Sequence, residues 1–220
     1  MSEKINPKDV TARKMVKEFC HYVVFLKAIH RIGKELFEND QGRKLMEQTA
    51  VSFFKDINNV LVNYFILETA KITDPAVTYN KYENFTIANM IETINWPESV
   101  TRDLERLNHV VKDFRNYVEM ARNKLLAHYD KNTFMSGKVL GTFPKGDDEK
   151  FMDALEKMCN VLHKASFGTI FGDISVGMPG DVLDLKKTLK RAVAFEKLLK
   201  ESKGEDKSRL FKYLNECIKS

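Results

Sequence analysis

The sequence predicts an all-α protein, an up-and-down helical bundle with additional C-terminal helices. Its 220 residues include only 10 Gly and 5 Pro, and long stretches without either residue favour helices over a many-turned β architecture. Within these stretches apolar residues recur at spacings of three and four, the pattern of one buried helix face. The breaks between them are short, which favours antiparallel neighbouring helices and therefore a bundle.

The first two helices are predicted from this periodicity and from the residues at their ends. The first begins near Asn6 or Asp9, either of which can cap a helix, and it runs to about Leu36. After a polar break at residues 39–42, a second long helix is expected over about 45–70.

The Thr73-Asp74-Pro75 stretch ends the second helix, because the residue before a proline is pushed out of the α region. A polar loop is predicted over residues 76–85. The longest apolar stripe follows Pro97 and predicts a helix that runs to about His128. The remaining helices are expected at about 86–94, 148–165, 181–202 and 205–218. These elements predict a bundle over residues 1–165 and a C-terminal helical extension, 166–220, packed on the bundle.

Composition narrows the class of protein. The formal charge of +5 is mildly basic, which is compatible with a nucleic-acid partner but does not by itself indicate one. The three cysteines are far apart and are expected to be reduced, buried thiols of a cytosolic protein. We expect a cytoplasmic protein with no membrane partner, because no apolar run approaches the roughly 20 residues of a membrane helix.

The familiar cofactor and metal patterns are missing from the sequence. It contains neither a Gly-x-x-x-x-Gly-Lys-Ser/Thr loop nor a Gly-x-Gly-x-x-Gly turn. Outside the central cluster, two histidines lie nine residues apart on the first predicted helix and the other two lie on two other helices, so no pair has metal-ligand spacing. We therefore predict no cofactor and no metal site.

A polar cluster at the end of the longest predicted helix is the main candidate site. Arg122, Asn123, His128 and Asp130 fall within nine residues of an otherwise apolar segment, Ala121–Asp130. On a regular α-helix Arg122 and His128 lie on opposite edges of the buried stripe, about 120° apart and about 9 Å apart along the axis. They can meet only if the helix breaks near Ala127 or if a second copy of the chain supplies one of them.

The residue types in this cluster are suited to attack on a phosphodiester. Histidine exchanges protons near neutral pH, and the planar arginine fork matches phosphate oxygens. Because RNA carries its own nucleophile in the 2′-hydroxyl, a proton acceptor and a phosphate clamp suffice. The structural alternative is a surface salt bridge at Arg122 and a satisfied, half-buried His128, which the spacing alone does not exclude.

The stretch Arg122-Asn123-Lys124-Leu125-Leu126-Ala127-His128-Tyr129-Asp130 resembles the signature of the HEPN superfamily. That signature is an Arg, four to six residues and then a His, often with Asn directly after the Arg. The residues of this stretch resemble those of the AbiU-type branch, which is named for phage abortive infection. That branch also tends to carry a Thr-Asp-Pro stretch ahead of the motif helix, as Thr73-Asp74-Pro75 does here.

The resemblance implies a homodimeric helical bundle that cleaves RNA without a metal and leaves a 2′,3′-cyclic phosphate. It implies Arg122 and His128 as the catalytic pair, with Asn123, Asp130 and Tyr129 in support. Such proteins act as phage-defence effectors or toxins, so an antitoxin or a nucleotidyltransferase-like partner is an expectation. The alternative is an inactive HEPN module that dimerises or binds RNA or protein.

Further RNA contacts are predicted from basic residues near the cluster. A Gly-flanked loop at 141–146 could cradle an RNA backbone, although a plain connector is the simpler interpretation. The lysines and arginines of residues 186–209 could follow phosphates, but interleaved acidic residues favour a solvated helix face. The candidates for RNA binding are Arg115, Lys124, Lys138 and Lys145.

Overall fold

The computed structural model describes residues 5–79, 81–126, 130–136, 140–172 and 179–219. The described chain is predominantly helical, which confirms the predicted all-α class. The helices are α1 Val10–Gly33, α2 Asp40–Thr49, α3 Val51–Ile72, α4 Ile87–Thr93, α5 Glu98–Ala121, α6 Lys131–Ser136, α7 Asp147–Phe167, α8 Val182–Glu201 and α9 Gly204–Lys219. Two π-helical turns follow α1 and α5 directly, at Lys34–Glu38 and Arg122–Leu126.

The structure differs from the prediction in two stretches. The helix expected over 45–70 is interrupted at Ala50, with φ −138° and ψ 69°. In the turn before it, the Thr49 hydroxyl donates to the carbonyl oxygens of Leu45 and Met46, a local bond that competes with the helix ladder. The loop expected at 76–85 contains a short antiparallel hairpin, β1 Val77–Thr78 and β2 Tyr82–Glu83.

Packing divides the chain into two compact units. The first contains Met1–His30 and Asn59–Val176, and the second contains Arg31–Asn58 and Gly177–Ser220. The C-terminal helices therefore share a unit with residues from the first quarter of the chain. The predicted boundary between residues 165 and 166 stays a prediction.

The core of the first unit is built around α5 and α7. The stripe predicted on α5 is buried at Leu104, Leu107, Val111, Phe114, Val118 and Ala121, as the spacing of three and four requires. The ring of Phe114 stacks on Phe151 of α7 with centroids 4.7 Å apart. Phe65 of α3 packs edge-on against both rings at 6.2 Å. These aromatic contacts fix α5, whose last residue precedes Arg122.

The second unit has its own smaller apolar cluster. Its buried members are Leu36, Leu45, Met46, Phe54 and Val182. Asn39 caps α2 by accepting hydrogen bonds from the backbone nitrogens of Gln41 and Gly42. Two basic residues of α8 are paired within this unit, since Lys186 contacts Glu35 at 2.5 Å and Lys187 contacts Asp184 at 2.9 Å. Lys186 is buried, whereas the exposed pair of Lys187 with Asp184 is consistent with the solvated-face interpretation.

The structure bears on two expectations from the sequence, one about membrane-spanning helices and one about the cysteines. Among the described residues, no helix is both long enough and apolar enough to cross a membrane. Cys20 and Cys159 are buried free thiols, as predicted. The Cys20 contact and burial raise the pKa of the Cys159 thiol above its ordinary value, so this cysteine is a poor nucleophile.

Candidate functional site

The Thr73-Asp74-Pro75 stretch ends α3 and presents a carboxylate towards α5. The Thr73 hydroxyl donates to the carbonyl oxygen of Thr69 at 2.7 Å, which closes the last helical turn. The backbone nitrogen of Asp74 then donates to the carbonyl oxygen of Lys71 at 3.2 Å. These bonds fix the backbone of Asp74 at the point where the proline forbids a further helical turn.

Arg115 on α5 is the main partner of this helix end. Its Nη2 donates to Oδ1 of Asp74 at 2.8 Å, and its Nη1 donates to Oγ1 of Thr73 at 3.1 Å and to the carbonyl oxygen of Ala70 at 3.3 Å. Its side chain is only 18% exposed. A cation that binds the last carbonyls of a helix is favourably placed. Arg115 therefore connects the end of α3 to the C-terminal part of α5.

Arg122 lies one heptad further along, at the start of the π turn. Its Nη2 lies 3.8 Å from Oδ2 of Asp74, beyond ordinary hydrogen-bond distance. Its Nη1 donates to Oδ1 of Asn123 at 2.7 Å. Its Nε is buried and has no hydrogen-bond partner among the described residues. The side chain is 36% exposed, so part of it is accessible to a ligand.

The β1–β2 hairpin and Arg122 line one cleft of about 650 Å³. The hairpin is anchored by Asn84, whose Nδ2 donates to the carbonyl oxygen of Pro75 at 2.9 Å and to Oγ1 of Thr78 at 2.5 Å. Since Pro75 adjoins Asp74, one short segment holds both the hairpin and the arginines. The cleft is lined by Asp74, Pro75, Val77, Thr78, Tyr79, Tyr82, Asn84 and Arg122.

Three predicted site residues, His128, Tyr129 and Lys138, lie outside the described residues. Asn123 and Lys124 are exposed within the π turn. The backbone nitrogen of Asp130 donates to the carbonyl oxygen of Lys124 at 2.9 Å, so Asp130 is anchored to the turn that carries the arginine.

The predicted RNA contacts Arg115 and Lys145 occupy different surroundings. Arg115 holds the end of α3, and the contribution of this guanidinium to RNA binding stays a prediction. Lys145 is exposed in the turn before α7 and is not among the residues that line the Arg122 cleft. The flanking Gly141 is packed, since a Cβ there would lie 3.0 Å from Cδ1 of Ile66 and 3.1 Å from Cβ of Ala121. That contact favours a connector that braces the end of α5.

The π turn changes the geometry on which the sequence argument rested. Regular α geometry ends at Ala121, and Arg122–Leu126 closes with the wider i→i+5 pattern. The rotation per residue is smaller in such a turn, so the angle of about 120° between Arg122 and His128 no longer applies. The spacing left two routes open, a helix break near Ala127 or a second copy of the chain. The structure changes the helical geometry earlier, at Arg122.

Other polar groups of the first unit have structural roles. Nε2 of His30 lies 2.7 Å from Oδ2 of the buried Asp148. The Tyr22 hydroxyl donates to Oε2 of Glu68, and burial followed by this bond raises the pKa of Tyr22. A second cleft of about 480 Å³ includes Asp113, Asp147 and Lys150 in its lining, a lining less suited to a phosphate than that of the Arg122 cleft.

The hairpin is the part of the cleft that the sequence prediction missed. Its signal was present, because Val77, Thr78 and Tyr82 are residue types that favour strands. A run of two residues per strand is too short for an alternation pattern to show. The Thr-Asp-Pro stretch was predicted to end the second helix and was noted in the resemblance, but its contact with the motif helix was not predicted.

Comparison with known proteins gave one match. The model of the family described as AbiU2, HEPN_AbiU2, matches residues 10–184. The match contains the Thr-Asp-Pro stretch, the hairpin, all of α5 and the Arg122–Asp130 cluster, and it ends near the start of α8. No curated protein and no solved structure matches this chain.

Proposed function

The chain belongs to the AbiU2 family of HEPN domains, and from this premise we propose that it is a metal-independent endoribonuclease acting as a phage-defence or toxin effector. Arg122 binds the scissile phosphate. His128 acts as general base or general acid, with Asn123, Asp130 and Tyr129 in support. The proposal rests on the family and on the surroundings of Arg122.

The reaction uses the 2′-hydroxyl of the RNA as nucleophile. The 2′-oxygen forms a bond to phosphorus, the bond from phosphorus to the 5′-oxygen breaks, and that oxygen gains a proton. The 2′-proton is given up in the same sequence, and His128 serves as one of the two proton-transfer partners. The products are a 2′,3′-cyclic phosphate and a 5′-hydroxyl, so atoms and charge balance without water or a metal.

The main observation behind the proposal is that the Asp74 carboxylate lies near two arginines and pairs closely with only one of them. Arg115 takes the 2.8 Å contact with this carboxylate, whereas Arg122 remains at 3.8 Å. A guanidinium that is restrained but not closely paired can bind a phosphate through both nitrogens of its fork. As negative charge moves onto the phosphoryl oxygens, such a preorganised cation stabilises the transition state.

The proposal includes a homodimer. HEPN catalysis needs Arg122 and His128 to converge, and a twofold pair of chains places each cluster against its own image. The π turn at Arg122–Leu126 offers a second route within one chain. A neutralising antitoxin or a nucleotidyltransferase-like protein is the partner expected for a toxin of this kind.

The second candidate is a silent HEPN module that dimerises or binds RNA or protein. The observation in its favour is the same Asp74 contact, because a carboxylate beside Arg122 weakens its attraction for a phosphate. In the ribonuclease, an RNA phosphate displaces Asp74 from Arg122, whereas in the silent module this contact persists.

A cleavage assay separates them. Purified wild-type protein is incubated with labelled RNA in buffer containing a chelator, and the 3′ ends of the products are analysed for a cyclic phosphate. We expect cleavage by the wild type and at least a roughly hundredfold loss of rate in Arg122→Ala and His128→Ala, since each removes a transition-state contact or a proton-transfer group. Absence of cleavage by the wild type would support the silent module.

Arg102→Ala is the matched control for Arg122→Ala. Arg102 lies on α5 as well, but it is exposed and pairs only weakly with Glu98 at 3.4 Å. The control is expected to keep full activity. Circular dichroism and thermal unfolding show whether the inactive variants remain folded.

A further inference from the structure

The β1–β2 hairpin exposes two aromatic side chains beside the phosphate-binding candidate Arg122. Tyr79 is 88% exposed and Tyr82 is 58% exposed, and both line the cleft that contains Arg122. Aromatic rings normally contribute most when they are buried. Rings that are left in solvent at the wall of a polar cleft contribute little to folding, so another role is indicated.

Tyr79 also has an unfavourable backbone conformation. Its φ of +53° lies in the left-handed region, where a bulky side chain is uncommon and glycine or asparagine is favoured. Among the described residues it is the only one other than glycine with a positive φ. Residues held in such conformations cluster at binding and active sites. The turn itself does not favour a tyrosine, so a ligand that stacks on the ring better explains why tyrosine is present here.

The hairpin holds these rings at a fixed place relative to the arginine. Asn84 bonds the hairpin to Pro75, and the adjacent Asp74 contacts Arg122 at 3.8 Å. The Lys81 ammonium lies 5.4 Å from the centroid of the Tyr82 ring, so a second cation lies next to the residues that line the cleft. The cleft lining thus combines two aromatic rings with the guanidinium of Arg122, and aromatic rings with cations are the two features of single-stranded nucleic-acid sites.

We propose that the hairpin is a base-stacking platform and that the cleft takes an unpaired nucleotide of single-stranded RNA. The base lies against Tyr79 and Tyr82, and the neighbouring phosphate binds Arg122. This deepens the proposed ribonuclease function and rests on it. Because bases within a duplex are already stacked on one another, the platform selects unpaired segments, and it tolerates any base since each has a π face.

The test is a binding measurement that is independent of cleavage. Fluorescence anisotropy of a labelled single-stranded RNA with 2′-O-methyl groups, which cannot be cleaved by its own 2′-hydroxyl, gives Kd for wild type and variants. The same RNA annealed to its complement is the duplex arm. Tyr82→Ala and Tyr79→Gly are each expected to raise the single-strand Kd by about tenfold, the loss of one stacked base. Tyr82→Phe is expected to bind like the wild type.

The variants have matched controls. Phe211→Ala removes another exposed ring that has a lysine nearby, with Lys207 Nζ 6.0 Å from its centroid on α9. It should leave the single-strand Kd unchanged. Tyr79→Gly is not expected to unfold the hairpin, because glycine adopts the left-handed region without strain. Thermal unfolding checks this for each variant.

Each outcome decides between the two proposals. Tyrosine-dependent binding of single-stranded RNA by a protein that cleaves none would support the platform and overturn the ribonuclease. Cleavage by the wild type, with a single-strand Kd that the tyrosine variants do not change, would overturn the platform and leave the ribonuclease standing. An equal loss of duplex binding would overturn base stacking. A wild type that binds neither form of RNA would overturn both proposals and point to a protein-docking hairpin.

Discussion

Asp74 accepts a hydrogen bond of 2.8 Å from Nη2 of Arg115, and through this contact the end of α3 is held against α5. The other oxygen of the same carboxylate lies 3.8 Å from Nη2 of Arg122. Asp74 thus links a structural arginine to the candidate catalytic one. We therefore expect substitution of Asp74 or Arg115 to alter the orientation and the charge environment of Arg122.

Replacing Asp74 with asparagine should lower cleavage without unfolding the protein. An amide can still accept one hydrogen bond from Arg115, but the charge that restrains Arg122 is gone. We expect kcat to fall by about tenfold because the guanidinium loses its orientation, and the free energy of unfolding to fall by about 1–2 kcal/mol. Steady-state kinetics and urea unfolding measure both. Asp103→Asn, which affects an exposed ion pair with Arg106 on the same helix, is the control and should change neither.

Removal of Arg115 should inactivate the protein by freeing Asp74. In Arg115→Ala the carboxylate loses its 2.8 Å partner and should move onto Arg122, neutralising it. We expect a loss of about 2–3 kcal/mol in the free energy of unfolding, since several charge-assisted hydrogen bonds disappear, together with a large fall in RNA cleavage.

A double mutant identifies the cause of that fall. If capture of Arg122 by Asp74 is responsible, then Arg115→Ala combined with Asp74→Ala should be more active than Arg115→Ala alone. A double mutant that is no more active than the single mutant would show that Arg115 itself contacts RNA or that the loss is structural.

Tyr22 should make the protein sensitive to alkaline pH. Burial and the hydrogen bond to Glu68 raise the pKa of the Tyr22 hydroxyl above its ordinary value. The folded state therefore holds this proton more tightly than the unfolded state, whose tyrosine pKa is about 10. The resulting stability is fully present below about pH 10 and is lost as pH rises above it. Absorbance of tyrosinate near 295 nm should show one tyrosine that ionises only on unfolding.

The Tyr22→Phe variant tests the same contact at neutral pH. It leaves the buried carboxylate of Glu68 with Lys71 at 2.7 Å but without the hydroxyl donor. We expect the free energy of unfolding to fall by about 1–3 kcal/mol, and the late-ionising tyrosine to disappear. Tyr82→Phe, at an exposed site, should leave stability unchanged. Equal stability of the two variants would contradict the importance of the Glu68 contact.

Gly141 should be sensitive to substitution by alanine for two separable reasons. Its φ of +80° is unfavourable for other residues, and a Cβ would lie 3.0–3.1 Å from Ile66 and Ala121. The first cost is about 1–2 kcal/mol, and the second displaces the residue that precedes Arg122. Gly168→Ala carries the conformational cost alone, because its φ is +79° and nothing lies within 4 Å of its Cβ position. We expect Gly141→Ala to lower both stability and cleavage, and Gly168→Ala to lower stability only.

The sequence by itself determined the helical class and the buried stripe on α5. These follow from periodicity within one segment, because residues seven apart return to nearly the same side of a helix. The resemblance carried by residues 122–130 and by the Thr-Asp-Pro stretch also led to the family that the match confirms. Each of these signals lies within one short segment of the chain.

Only the tertiary structure decided what surrounds Arg122. Asp74 and Arg115 are 41 residues apart, so their contact depends on how α3 ends against α5, which no periodicity encodes. The hairpin could not be predicted either, because its two-residue strands depend on the hydrogen bond between Asn84 and Pro75, which are nine residues apart. The π turn at Arg122–Leu126 likewise replaced the regular helix assumed from spacing. Periodicity within one segment therefore predicts where Arg122 lies on its helix. Contacts between distant segments determine that Asp74 lies beside it and that it shares a cleft with Tyr79 and Tyr82.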